Sequence, residues 1–157
     1  MNDSIKKFLS ETNDVCFGYN EINFSKPEDI KIAQVGFKYD ENGNLYNEKK
    51  WKDSWIVIAT DNLGDPIFID ESLSDLPVFT AQHGEGSWDE IKLASSLSNF
   101  KEIILLLEKI SKNRENPVQL NQNPMSEIEI KNFIEEIEAK NDIDPWWWEL
   151  FIESDDE

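Results

Sequence analysis

The sequence predicts a single α+β domain, a mainly antiparallel β-meander flanked by N-terminal and C-terminal helices. Three observations predict it. Between residues 54 and 94, short apolar runs are punctuated by Gly, Pro, Asn or Asp, as the strands of a meander are. On either side of that stretch, apolar residues recur three and four apart, the spacing of helix faces packed on a core. The 157 residues also fall within the roughly 100–200 of one domain, with no internal repeat to divide them.

The elements follow in order. Ile5, Phe8, Leu9 and Thr12 form one face of an opening helix, with Asp3 or Ser4 as its cap. "SKPEDI" predicts a second short helix, capped by Ser25, with Glu28 completing a capping box and Pro27 in the first turn. In "QVGFKYDENGNLY" the Asn42-Gly43 pair predicts a tight hairpin turn. "SWIVIAT" is apolar on both faces and predicts a buried central strand. "NLGD" turns the chain into the strand "PIFID", and "PVFTAQH" and "WDEIKLA" supply two more. Leu97, Phe100, Ile103, Ile104, Leu107 and Ile110 then line one face of a strong helix behind Ser96 as its cap. "NRENPVQLNQNP" reads as a polar linker. After it, Ser126 and Glu129 form a capping box, Met125 and Ile130 a hydrophobic staple, and Ile130, Phe133, Ile134 and Ile137 an apolar stripe. Asp144 and Pro145 start a last helix through "WWWELF". The expected organisation is one domain over residues 1–157, with its core at 20–110 and an acidic helical extension at 125–157.

Charge narrows the function classes. The net charge is −18, and the last 33 residues, with 12 acids against 2 bases, carry −10 of it. Such a surface repels phosphate backbones and anionic membranes, which argues against direct nucleic-acid or lipid binding and for a cationic partner. Acidic surfaces also simply keep proteins soluble. The longest apolar run, "IILLL", is far short of the ~20 residues that span a bilayer. A single cysteine, Cys16, and the absence of a signal-like N-terminus point to the cytoplasm.

One stretch looks like chemistry. "TAQHGEGSW" holds the only histidine, His83, beside Glu85 and between glycines. A hydrolase centred on His83 and Glu85 needs a nucleophile, and no G-x-S-x-G or comparable context supplies one. Zinc sites usually take two or more His or Cys ligands, and the chain has one of each. Neither a metal nor a cofactor is expected, and "DNLGDPIFIDE" lacks EF-hand spacing. A hairpin explains the stretch better: His83 ends one strand, Trp88 begins the next, Gly84 to Ser87 form the loop, and the two rings face each other across the strands.

These residues resemble a family. A tryptophan-led strand from Trp55, the Gly64-Asp65 turn, a strand ending at Asp70, another ending at His83, and Ala94-Ser95-Ser96-Leu97 with Phe100 entering a helix resemble the core of the SUKH superfamily over roughly residues 20 to 110. The chain departs from the family's N-terminal "L-P-x-x-Y" segment, and its triple tryptophan has no counterpart there. The resemblance implies a single-domain α+β fold and, for bacterial members, a cytoplasmic immunity protein that binds a polymorphic toxin, often a nuclease, without catalysis. The family's eukaryotic regulators imply the alternative of a general protein-interaction module. Trp55, His83, Gly84, Gly86 and Trp88 are then structural.

Two features are candidates for partner contact. Asp61, Asp65, Asp70, Glu71 and Asp75 lie within fifteen residues that contain no lysine or arginine, and Glu85 adds a charge at the histidine loop. They read equally as solvated turn residues. In "WWWELF" three adjacent tryptophans cannot all point inward on a helix, so two are expected to pack and the third, taken as Trp147, to meet a partner.

Overall fold

The computed structural model describes residues 2–46 and 50–153. Six antiparallel strands run in sheet order β1 to β6, each paired with its sequence neighbour: β1 (Val15–Phe17), β2 (Asn20–Phe24), β3 (Trp55–Asp61), β4 (Pro66–Asp70), β5 (Val78–Thr80) and β6 (Ile91–Ala94). The helices are α1 (Asp3–Glu11), α2 (Ile30–Ala33), α3 (Leu97–Ser111), α4 (Pro117–Gln122), α5 (Glu127–Lys140) and α6 (Trp146–Ile152). The class is α+β, as expected.

The sheet is buried on two faces by different means. On one, Ile58, Ile67, Ile69, Val78 and Leu93 meet apolar stripes from α1, α3, α5 and α6. The helices after residue 125 belong to this core: Phe133, Ile137, Trp148, Phe151 and Ile152 are all buried in it. They do not stand apart as an extension, and residues 154–157 of that stretch lie outside the described residues. On the other face Trp55, Val57 and Phe68 carry a second cluster, closed by Phe37, Trp51 and Trp88 from loops. Trp55 lies 4.5 Å from Phe68, and Trp51 packs 5.0 Å from Phe68 and 5.5 Å from Trp88. Aromatic pairs at these separations add about 0.5–1.5 kcal/mol each beyond their burial. This is why "WIVIATD" and "PIFID" are apolar on both faces: both central strands are covered twice.

Several local expectations shift. Asn2, one residue before Asp3, caps α1 by accepting from the Ser4 N–H at 2.7 Å. "SKPEDI" forms a 3-10 turn at Pro27–Asp29 leading into α2; Ser25 donates to the Lys26 carbonyl, and Lys26, at the cap position, makes no side-chain cap bond, so the capping box is not formed. Around Asn42-Gly43 the chain does reverse as an antiparallel pair: Tyr39 bridges Leu45, the Tyr46 N–H donates to the Lys38 carbonyl at 3.0 Å and the Asp40 N–H to the Asn44 carbonyl at 2.8 Å, while the Asp40 carboxylate gathers the Asn42 and Asn44 N–H groups. Residues 47–49 lie outside the described part. The polar linker contains α4, capped by Asn116 on the Gln119 N–H at 2.9 Å, with Pro117 in its first turn. Its one buried side chain, Leu120, covers the β1–β2 turn so closely that a Cβ at Gly18 would sit 2.5 Å from Leu120 Cδ2. The buried Arg114 ties this region down through the Ile110 and Asn123 carbonyls and Glu129. Ser96 and the Ser126–Glu129 capping box form as expected. The backbone cap of α6 falls at Pro145, while the Asp144 carboxylate accepts from the Trp146 N–H at 3.2 Å.

Candidate functional site

The meander sorts the predicted residues to opposite ends of the sheet. The β1–β2 turn, the β3–β4 turn and the β5–β6 loop lie at one end; the β2–β3 and β4–β5 connections lie at the other. Asp61, Asp65 and Glu85 therefore share the first end, and Asp70, Glu71 and Asp75 the second. At about 3.4 Å per residue, β4 holds Asp65 and Asp70 on the order of 17 Å apart. The five carboxylates clustered in the sequence do not form one patch.

At the first end, Asp61 builds the β3–β4 turn. Its Oδ1 accepts from the Leu63 N–H at 2.9 Å and the Asp65 N–H at 3.0 Å. Burial pushes its carboxyl above the ordinary range; those two N–H bonds pull it back, and the neighbouring Asp65 carboxylate pushes it up again. Asp65 is equally buried and reaches across to the β5–β6 loop. Its Oδ1 accepts from the His83 N–H at 2.9 Å and lies 2.5 Å from His83 Nδ1. At the second end, burial raises the Asp70 carboxyl, but bonds from the Ser72 hydroxyl and amide outweigh it and hold the group below its ordinary value. Glu71, Asp75 and Glu85 are exposed.

The histidine loop is not the expected hairpin. Strand pairing stops at Thr80–Ile91, so neither His83 nor Trp88 lies in a strand and the cross-strand ring pair is not made. Asp65 captures His83, while Trp88 turns to the second aromatic cluster, 5.7 Å from Phe37. Gly84 and Gly86, at φ 81° and 79°, supply the left-handed turns this longer loop needs. Trp55 is buried in the same cluster. A carboxylate on Nδ1 with the ring otherwise exposed is also how a catalytic imidazole is oriented. Among the described residues, no hydrogen bond brings a Ser, Thr or Cys to that ring, and no three His, Cys, Asp or Glu side chains group to hold a metal ion.

The structure brings Asp61 and Asp65 together with the tryptophans. α6 lies beside the β3–β4 turn, and Trp146, Trp147, Leu150 and Phe151 wall a cleft of about 150 Å³ whose other side is Asp61, Leu63 and Asp65. Trp148 seats the helix: it is fully buried, and its Nε1–H donates to the Leu93 carbonyl at 2.9 Å. Asn20 donates to the Phe151 carbonyl at 2.9 Å and fixes the far end of α6. Trp147 is half-buried, stacked 5.5 Å from Phe151 and edge-on to Trp148 at 5.0 Å. Trp146 keeps 37% of its surface exposed, and both it and Trp147 line the cleft. Leu63 and Leu150 beside it are 69% and 54% exposed. Sequence reasoning missed Leu63, Leu150 and Trp146 because their proximity depends on how α6 docks, although "NLGD" and "WWWELF" each show an apolar residue without a core period.

Comparisons with family models, with curated proteins and with solved structures found no match to this chain. No helix among the described residues is long and apolar enough to cross a membrane.

Proposed function

We propose that the protein is a cytoplasmic immunity protein that binds a cognate polymorphic toxin, a nuclease, and neutralises it by stoichiometric occlusion. One observation carries this reading: residues 61–85 hold six carboxylates and no lysine or arginine, and three of those acids gather at the sheet end where Leu63, Trp146 and Leu150 are exposed. Carboxylates beside exposed apolar side chains suit a protein partner, since a hot spot needs desolvated apolar contact as well as charge. A nuclease must hold a polyanion and so presents a cationic surface. An acidic protein that occupies it stands in for phosphate, and the opposed fields accelerate association. No bond is made or broken. The resemblance of residues 20 to 110 to the SUKH core supports the same reading.

The test is expression of the protein with the product of the neighbouring open reading frame. The expected results are rescue of growth, a one-to-one complex on gel filtration, and an association rate that falls steeply with added salt. Absence of both rescue and complex would end the proposal, and capture of several unrelated partners would favour a general interaction module.

A further inference from the structure

The cleft between α6 and the β3–β4 turn has a more specific chemistry. Small-molecule pockets run to roughly 300–1,000 Å³, and this cleft, at about 150 Å³, is of a size for one side chain. Its lining combines Trp146 and Trp147 from α6 with Asp61 and Asp65 from the β3–β4 turn, beside the neutral side chains of Asn20, Asn62, Thr80 and Gln82. Among the described residues, the hydrogen bonds those carboxylates accept fall on Oδ1 of each, so Oδ2 is the acceptor to which no protein donor is assigned. Leu63 and Leu150, both exposed, border the opening.

We propose that this cleft anchors an arginine side chain of a cationic protein partner, with the guanidinium on Asp61 and Asp65 and its planar head and alkyl stem against Trp146 and Trp147. This rests on the partner-binding reading above and names the subsite that reading lacks. Charge complementarity selects a cation, and the aromatic wall selects arginine over lysine. A guanidinium is planar, weakly hydrated and able to stack on an indole while its N–H groups reach two carboxylates; an ammonium is a compact, strongly hydrated point charge. The exposed leucines select a protein segment over a free amino acid, because apolar neighbours of the arginine cover them.

The experiment titrates the full chain with N-acetyl-Leu-Arg-Leu-amide and its lysine and citrulline counterparts, following the indole N–H resonances of all six tryptophans. The expected result is a shift confined to Trp146 and Trp147. The lysine peptide should bind several-fold more weakly, and the neutral citrulline peptide about tenfold more weakly, the usual difference between a charge-assisted and a neutral hydrogen bond. In Asp61→Asn/Asp65→Asn, which keeps an amide oxygen as acceptor for the β3–β4 turn and another for the His83 N–H, the preference for arginine over citrulline should disappear while the near-ultraviolet dichroism stays unchanged. Trp146→Ala, at an exposed position, should weaken all three peptides. Equal binding of arginine and citrulline, equal binding of arginine and lysine, shifts spread over Trp51, Trp55 and Trp88, or no shift at millimolar peptide would each overturn the anchor. Growth rescue reports separately: rescue without peptide binding removes the anchor and keeps the immunity function, and peptide binding without rescue does the reverse.

Discussion

Trp148 holds α6 in the place that makes the cleft, and Trp148→Phe measures how firmly. The ring is fully buried and its Nε1–H is spent on the Leu93 carbonyl of β6 at 2.9 Å. Phenylalanine keeps an aromatic ring among Phe100 and Phe151, 6.1 Å and 6.3 Å away, but removes that donor and some volume. An acceptor left without its partner costs about 1–3 kcal/mol, and the lost volume adds to this in a core that collapses only partly. A total near 2 kcal/mol, at about 2–4 °C per kcal/mol for a chain of this size, lowers Tm by roughly 4–8 °C. Urea unfolding followed by circular dichroism measures it, with an unchanged m-value showing that the native state is otherwise kept. Trp146→Ala, on the exposed neighbour, should stay within about 0.5 kcal/mol of wild type. Equal costs at the two positions, or a Trp148→Phe protein as stable as wild type, would show that α6 is not seated by this residue.

Four more outcomes are expected. Burial raises the Asp61 carboxyl above its ordinary value of 3.8, so the folded state binds that proton more tightly than the unfolded chain. Stability then falls as pH rises through the folded pKa, and the ionised group is a net cost at neutral pH. Asp61→Asn, which still accepts the two turn bonds, should therefore raise Tm at pH 7, and the gain should vanish as pH is lowered past 3.8; a loss of stability at pH 7 would contradict this. Gly18→Ala should destabilise by about 1–3 kcal/mol in urea, because it forces a Cβ onto Leu120 at a φ of 60°. Ser126→Ala should cost about 0.5–2 kcal/mol through the lost cap of α5, read from the same unfolding curves. His83→Ala should cost no more than about 1.5 kcal/mol and leave the proposed protection unchanged; loss of protection in a folded variant would favour a catalytic histidine.

Much of the fold was legible because it is local. The strands "PIFID" and "SWIVIAT", the α3 stripe behind Ser96 and the Ser126–Glu129 capping box need only their own neighbours to be read. α4 was missed because Asn and Gln dominate it, even though Asn116 and Pro117 form a regular helix start. The second aromatic cluster was illegible for a different reason. Phe37, Trp51 and Trp88 come from loops with no period, and only the folded sheet tells which strand face they cover. The same holds for the site: nearness in sequence put Asp65 with Asp70, whereas antiparallel geometry separates them and brings Asp65 to Trp147, 82 residues on.

The acidic end of the sheet is proposed to neutralise a cationic partner through its cleft. The direct measurement is growth of cells expressing the product of the neighbouring open reading frame together with either wild type or Trp146→Ala/Asp61→Asn/Asp65→Asn, the two held at equal soluble levels. Wild type should restore growth and the triple variant should not. Protection by the variant equal to that of wild type would contradict the account.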